Sequence, residues 1–145
     1  MKTTIRSVLS VALVLLMLLG VCSLAACAEP TPTEVLWEDA LYTEDTALGS
    51  GSKTITVKVS AGEKSVTFTL RTDKETLADA MLEHGLVEGN DSQFGLYIKK
   101  VNGILADYDV DQTYWALTEN GETTPTGASG VTVTDGTAYE FNRAK

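Results

Sequence analysis

Apolar and polar residues alternate between Lys53 and Arg71, which is the pattern of half-buried β-strands. One run carries its apolar residues at Ile55, Val57 and Val59, and the next carries them at Val66, Phe68 and Leu70. A short turn containing Gly62 separates the two runs. The pattern therefore predicts a β-hairpin.

After the hairpin the spacing of apolar residues becomes helical. Thr72-Asp73-Lys74-Glu75 matches the Ser/Thr-x-x-Glu capping box that begins many helices. The residues that follow with helical periodicity are Leu77, Ala80, Met81 and His84. Gly85 provides a stop signal. The sequence thus predicts one amphipathic helix.

The remaining chain predicts short strands separated by turns. Asn102-Gly103 and Asn120-Gly121 are both signals for two-residue type I′ turns. An acidic loop is predicted at 88–91. The strands predicted after it lie at 96–101, at a short return 104–105, at 114–118, at an extended stretch containing Val131 and Val133, and at 139–141. This order predicts an α+β fold with one helix packed on a mixed sheet.

The N-terminal residues carry the pattern of an export signal. Lys2 and Arg6 precede an apolar run, Val8–Val21, of about 14 residues, which is shorter than the roughly 20 that span a bilayer. The run closes on Leu24-Ala25-Ala26-Cys27, which resembles the lipobox of bacterial lipoproteins. The resemblance implies that residues 1–26 are a signal peptide and that the Cys27 thiol receives a lipid. The mature chain is then expected to be extracytoplasmic and lipid-anchored, on the outer face of the cell membrane or on an outer membrane.

Residues 27–52 are predicted to be a lipidated flexible tether. Pro30 and Pro32 favour extended chain, and Gly49-Ser50-Gly51-Ser52 is typical of a spacer. Between them, apolar residues recur at helical spacing, at Leu36, Trp37, Ala40 and Leu41. The alternative interpretation is therefore a short amphipathic segment that docks on the domain or on a partner. The tether interpretation places the folded domain at residues 53–145.

The acidic balance argues against nucleic acid as a partner. The formal net charge of −9 becomes −11 without the signal peptide, because that segment contains two cations and no acid. Such a chain, without a cluster of Lys or Arg, cannot neutralise phosphates. It would also be repelled by anionic lipid headgroups, so the lipid is expected to hold it at the membrane. With Cys22 removed and Cys27 acylated, the domain has no disulfide and depends on its core.

The residue types that catalysis requires are sparse, so the chain is not expected to be an enzyme. Nucleophilic catalysis uses Ser or Cys beside a base, and the only histidine, His84, falls at the end of the predicted helix. The alternating carboxylates Asp107, Asp109 and Asp111 are the one candidate metal feature. Gln112 and Thr118 stand where an EF-hand loop has Gly and Glu, so solvated acids are expected, with calcium as the alternative.

Three stretches of the second half form an ordered pattern. They are a strand ending in Val-Asn-Gly-Ile at 101–104, Tyr114-Trp115 before the second Asn-Gly, and Asp135-Gly136 before a closing aromatic strand. This order resembles the transcobalamin-like C-terminal domain family over residues 53–145. The resemblance implies a β-grasp-like fold that binds a soluble small ligand. The family's named member holds cobalamin between this domain and a separate helical domain. Here Ala116-Leu117 replaces the usual aromatic pair, and Asp135-Gly136 stands where the family often has Gly-Asp.

Aromatic residues on or near the strands that carry the two Asn-Gly turns supply the candidate ligand-binding residues. These residues are Tyr97, Tyr108, Tyr114, Trp115, Asn120 and Gly121. Trp115 shares a strand face with Leu117 and is expected in the core. Tyr97 and Tyr114 then point elsewhere, either toward a flat ligand or partner, or over the second sheet face.

The sequence therefore predicts a non-enzymatic surface lipoprotein that binds a small ligand. Cobalamin or another corrinoid is the ligand that the resemblance implies, held by the domain or passed to an uptake system. The alternative is a protein-interaction or adhesion module in a surface assembly, which would use a sheet edge or the segment at 35–42.

Overall fold

The structure is a computed structural model that describes residues 29–145. The predicted signal peptide and the predicted lipid attachment at Cys27 lie outside these residues. In the described part, no helix is long and apolar enough to cross a bilayer.

Short helices and many strands make up the described residues, and the predicted α+β class is confirmed. The helices are α1 (Pro32–Trp37), α2 (Leu77–Glu83) and α3 (Tyr108–Asp111), with a 3-10 turn at Ala128–Gly130. The strands are β1 (Thr46–Gly49), β2 (Lys53–Ala61), β3 (Lys64–Thr72), β4 (Val87–Ser92), β5 (Gly95–Val101), β6 (Ile104–Leu105), β7 (Tyr114–Glu119), β8 (Glu122–Thr123) and β9 (Ala138–Ala144).

The predicted hairpin lies within a six-stranded mixed sheet of order β1-β3-β2-β9-β7-β8. Lys53 of β2 pairs with Thr72 of β3, and Ala61 pairs with Lys64. The closing strand β9 runs parallel to β2 and antiparallel to β7, so it lies inside the sheet. The alternating apolar residues of the hairpin are buried in the core cluster to which α2 also contributes, at Ile55, Val57, Val59, Val66, Phe68 and Leu70. Burial of one sheet face therefore accounts for the alternation.

A second, three-stranded antiparallel sheet has the order β4-β5-β6. Its strands β5 and β6 were predicted as a strand and a short return, whereas β4 was not. Residues 88–91, expected as an acidic loop, form most of β4 and pair with β5. Only Val87 of β4 is buried. Because the strand has no alternating apolar face, its composition indicated a loop.

Both Asn-Gly turns are confirmed, and they join β5 to β6 and β7 to β8. The φ angles are 52° at Asn102 and 78° at Gly103, and 49° at Asn120 and 86° at Gly121. Positive φ at both central positions is what a type I′ turn requires.

The predicted helix is α2, but it begins later than the capping box indicated. Thr72 ends β3, and its hydroxyl accepts a hydrogen bond from the backbone N–H of Lys74. Thr76 is the N-cap, and its hydroxyl accepts from the N–H of Asp79. The strand pairing of β3 continues through Thr72, so a helix cannot begin there. The buried residues of α2 are Leu77, Ala78, Ala80 and Met81, and His84 is its C-cap.

Val131 and Val133 are buried but do not form a strand. Thr132 between them makes an isolated bridge with Thr76. The N–H of Leu77 donates to the Val131 carbonyl at 3.0 Å. This stretch therefore fixes the start of α2.

The N-terminal segment differs most from the tether prediction, because residues 32–49 pack on the domain. Trp37 is 4% exposed, and its indole N–H donates to the Ala61 carbonyl at 2.8 Å. The ring of Tyr42 meets that of Phe68 edge-on, with centroids 5.4 Å apart. β1 pairs in parallel with β3. The docked-segment interpretation is thus correct here, and the folded unit begins near Pro32 rather than at Lys53.

The two signals that favoured a tether have other structural causes. Pro32 occupies the first turn of α1, where its missing N–H costs nothing, and Thr31 caps that helix. Gly51 lies so close to β3 that an added Cβ would be 2.1 Å from the Thr72 carbonyl carbon. The glycine therefore permits close packing of two backbones rather than flexibility.

Hydrogen bonds of Asn102 hold the N-terminal segment against the β5–β6 turn. The Tyr42 N–H donates to Asn102 Oδ1 at 2.9 Å, and Asn102 Nδ2 donates to the Tyr42 carbonyl at 2.8 Å. The Leu41 N–H donates to the Asn102 carbonyl at 3.0 Å. Asn102 is fully buried, so one side chain satisfies both backbone groups of Tyr42 without water.

Gly103→Ala is expected to destabilise the domain more than Gly121→Ala. Both substitutions place a Cβ at positive φ, at a cost of about 1–3 kcal/mol. At Gly103 the Cβ would also lie 2.2 Å from the Asp39 carbonyl oxygen, whereas nothing lies within 4 Å at Gly121. Urea unfolding of the two variants measures the difference. Equal losses would contradict the close packing of Asp39 on the turn.

Candidate ligand-binding groove

A shallow groove of about 230 Å³ lies between β5 and β7. Its lining residues are all uncharged: Leu96, Tyr97, Ile98, Tyr114, Trp115, Leu117, Gly127, Ala128 and Phe141. The two strands belong to different sheets, so the groove is a gap between sheets rather than one sheet face.

Incomplete strand pairing creates the gap. β6 pairs with only the last two residues of β5, and β8 pairs with only the last two residues of β7. Within residues 29–145, the earlier parts of both strands have no strand partner on those sides. The Trp115 indole N–H donates to the Lys99 carbonyl at 3.2 Å and bridges the two sheets. The Leu96 N–H donates to the Ser129 hydroxyl at 3.0 Å and fixes β5 to the 3-10 turn.

The groove combines a buried floor with exposed aromatic rings. Leu117, Ala128 and Phe141 are buried, and Trp115 is half-buried against the core. Tyr97 and Tyr114 are 47% and 43% exposed. Such a surface offers aromatic faces for apolar contact, together with phenol groups for hydrogen bonds.

The structure brings three of the candidate ligand-binding residues together and separates the other three. Tyr97, Tyr114 and Trp115 line the groove. Tyr108 lies on α3 outside the groove lining and is 57% exposed. Asn120 and Gly121 follow the far end of β7 and border a different hollow.

The alternation argument was correct for the core, and Tyr97 and Tyr114 are exposed as it indicated. Trp115 and Leu117 do share a side of β7 and pack toward the core. Tyr97 and Tyr114, expected to point away from the core side that Trp115 occupies, nevertheless border the same groove as Trp115. Because the groove lies along strand edges, residues from both faces reach it.

Several lining residues were missed by the sequence reasoning. Leu96 and Ile98 flank Tyr97 in a predicted strand, and they gave no sign of lying at a gap. Gly127 and Ala128 lie in a predicted loop, and only the bond from Leu96 to Ser129 places that loop beside β5. No local pattern encodes that contact.

Two of the carboxylates considered as calcium ligands, Asp107 and Asp111, interact with different neighbouring side chains. Asp107 lies 3.0 Å from the Lys99 ammonium, and this hydrogen bond lowers the pKa of Asp107. Asp111 contacts the Thr113 hydroxyl and pairs with Arg143, and these contacts lower the pKa of Asp111. In the described part of the chain, no group of three or more potential ligands is placed to hold a metal ion. The expectation of simply solvated acids is wrong for Asp107 and Asp111, because each pairs with a cationic side chain.

The lowered pKa values predict loss of stability in acid. A carboxyl whose pKa is lower in the folded chain stabilises it above the unfolded pKa of about 4, and this stability is lost as the pH falls through the folded value. Unfolding midpoints should therefore decrease below about pH 4. The decrease should be smaller in Asp107→Asn than in the wild type. Asp91→Asn, an exposed acid on β4, is the control that should retain the full decrease.

Comparison with known proteins places this fold among the transcobalamin C-terminal-like domains. Residues 74–142 match the family described as a domain of unknown function, DUF4430. A crystal structure of a Ruminococcus gnavus ATCC 29149 protein, described provisionally as metal binding, is 34% identical. The match has a TM-score of 0.61 and covers 65% of this chain and 98% of that one. The chain belongs to this family, which has the transcobalamin C-terminal-like fold.

Haptocorrin in complex with Cbi shares the fold at a TM-score of 0.50 and 23% identity. The match covers 68% of this chain but only 26% of haptocorrin. A search of curated proteins found no match.

Proposed function

We propose that this domain binds a small ligand in the groove between β5 and β7, and that the ligand is a corrinoid such as cobalamin or cobinamide. The main support for this proposal is that Tyr97, Tyr114 and Trp115 line one groove without charged residues. The likeness to haptocorrin, described in complex with Cbi, supports the choice of ligand. The proposed activity is binding without catalysis.

The small volume of the groove indicates that a second protein or domain would form the rest of the ligand-binding site. Pockets that enclose drug-sized ligands measure roughly 300–1,000 Å³, and this groove measures about 230 Å³. A corrinoid would therefore lie with one side on the tyrosines and the other side open. A second protein or domain would cover the open side, as an uptake system could.

Calorimetric titration with cobinamide tests the ligand. The protein to use is the chain from residue 27 with Cys27→Ser, because a fragment that starts at Lys53 would lack Trp37. Tyr114→Ala should weaken binding about tenfold, or about 1.4 kcal/mol, by removing an exposed aromatic contact.

Tyr108→Ala is the matched control, since it removes a tyrosine of similar exposure outside the groove. It should leave the affinity unchanged. Equal weakening by both variants, or no heat at high-micromolar cobinamide, would contradict the proposal.

We also propose that Cys27 carries a lipid that holds the mature protein at the outer face of a membrane. The support is the lipobox-like sequence Leu24–Cys27. Mass spectrometry of the native protein should find diacylglycerol on Cys27, and Cys27→Ala should abolish metabolic labelling with palmitate. An unmodified Cys27 at the mature N-terminus would contradict the anchor but leave the ligand proposal standing.

A second candidate function is capture of an extended peptide. The unpaired edges of β5 and β7 favour it, because strand addition uses such edges. The segment at 35–42 is a weaker candidate surface, since Trp37 is buried and Tyr42 is packed. A stable protein partner recovered from solubilised envelope and weakened by Tyr114→Ala, together with no heat on titration with cobinamide, would favour this alternative.

A further inference from the structure

A second surface with exposed apolar side chains lies beside α1 and shares no lining residue with the ligand groove. Val35, Leu105 and Val110 are 50%, 46% and 77% exposed. They line one shallow depression together with Leu36, Asp39, Asp107, Asp111 and Arg143. We refer to Val35, Leu105 and Val110 as the apolar patch. Clustered exposed apolar residues mark surfaces that contact a partner or a membrane.

The chain enters the domain at this patch. Only Ala28–Thr31 separate Cys27 from the first residue of α1. Four residues span at most about 14 Å, and Val35 lies one helical turn beyond Thr31. The predicted tether of residues 27–52 would have allowed the domain to turn freely, whereas this short link keeps the patch close to Cys27.

Charge pairing around the patch reduces the repulsion expected of an acidic chain. Asp107 pairs with Lys99, and Asp111 pairs with Arg143, whose Nε also donates to the Leu105 carbonyl. Glu34 accepts a hydrogen bond from the Thr31 N–H. Glu38, Asp39 and Asp109 remain near the patch and take part in no ion pair of the described residues. These three acids favour contact with zwitterionic rather than anionic lipid.

We propose that the apolar patch rests in the headgroup region of the bilayer that holds the lipid of Cys27, and so fixes the orientation of the domain. This inference rests on the proposed lipid attachment. Little intrinsic affinity is required, since a short link keeps the patch at a high effective concentration near the surface. Each exposed apolar side chain that leaves water strengthens this contact.

A fluorophore sensitive to polarity tests this orientation in the acylated full-length mature protein. The sequence has two cysteines, of which Cys22 precedes the predicted cleavage and Cys27 is acylated, so an engineered cysteine is the one free thiol. The polarity-sensitive fluorophore NBD is attached to the introduced cysteine of Val110→Cys. The matched control carries the same label at Glu122→Cys, on the exposed strand β8. Both proteins are reconstituted in phosphatidylcholine vesicles, with and without brominated lipid.

The label at position 110 should be shifted to the blue and quenched by brominated lipid, as expected about 5–10 Å into the headgroup region. The label at position 122 should remain in water. Val35→Glu combined with Leu105→Glu should return the label at position 110 to water.

Three other results would overturn the proposal. If Cys27 is acylated but both labels stay in water, the orientation is wrong and the anchor stands. If the label at position 110 is shielded but not quenched by brominated lipid, a protein covers the patch. If Cys27 carries no lipid, the anchor proposal fails as well.

Discussion

Trp37→Ala is expected to destabilise the domain by about 3–5 kcal/mol, the usual cost of removing a buried Trp ring. The ring is 4% exposed and packs with the core cluster. Its loss also leaves the Ala61 carbonyl without the 2.8 Å bond from the indole N–H, and removes the face beneath the Lys64 ammonium, 5.9 Å from the ring centroid. Guanidinium unfolding measures the loss.

Two companion proteins separate the causes of this effect. Val35→Ala, on the same helix but half-exposed, should cost far less. A fragment that begins at Lys53 should lose at least as much stability as Trp37→Ala, because Tyr42 and β1 leave with the tryptophan. If that fragment folds as stably as the chain from residue 29, then residues 29–52 are a tether after all.

Asn102→Asp is expected to cost about 3–5 kcal/mol at neutral pH, since it places an uncompensated charge in a fully buried site. The new carboxylate can still accept from the Tyr42 N–H, but its second oxygen would face the Tyr42 carbonyl, to which Asn102 Nδ2 now donates at 2.8 Å. Unfolding of the variant by urea measures the cost.

Acid should partly rescue this variant. Burial against a carbonyl raises the pKa of the introduced carboxyl, so its neutral form is favoured in the folded chain. That form donates a hydrogen bond, and the lost stability should therefore return as the pH falls below the raised value. Asn120→Asp, at the corresponding but exposed position of the other turn, should show little loss and no rescue. A similar loss in both variants would show that the turn, rather than the contact with Tyr42, sets the cost.

Local patterns predicted the elements that local physics determines. The β2–β3 hairpin follows from alternation, and both type I′ turns follow from Asn-Gly, because each of these signals acts within a few residues. The start of α2 was misplaced because Thr72 is held by strand pairing to Lys53. A tertiary contact there overrides a capping signal.

The N-terminal segment and the groove depended on contacts that sequence patterns do not encode. Trp37 meets Ala61, and Tyr42 meets Asn102, only after the sheets have formed. Pro32 and Gly51 are ambiguous in sequence, since both occur in linkers and also in helix starts and close-packed turns. The groove exists because β6 and β8 are short, and the sequence pattern did not predict their lengths. The sequence therefore identified Tyr97, Tyr114 and Trp115 as candidates but did not predict that they line one groove.

The packed N-terminal segment changes what the predicted lipid would do. If Cys27 carries the proposed lipid, a link of four residues, Ala28–Thr31, would hold the domain near the bilayer instead of allowing it to reach outward.

The most direct test of the ligand groove is an NMR titration of the isotope-labelled chain from residue 27, carrying Cys27→Ser, with cobinamide. We expect the shifted resonances to be those of Tyr97, Tyr114 and the Trp115 indole N–H, while those of Asn120 and Gly121 stay in place. Shifts centred on the Asn120-Gly121 turn, or no shifts at saturating cobinamide, would contradict binding in this groove.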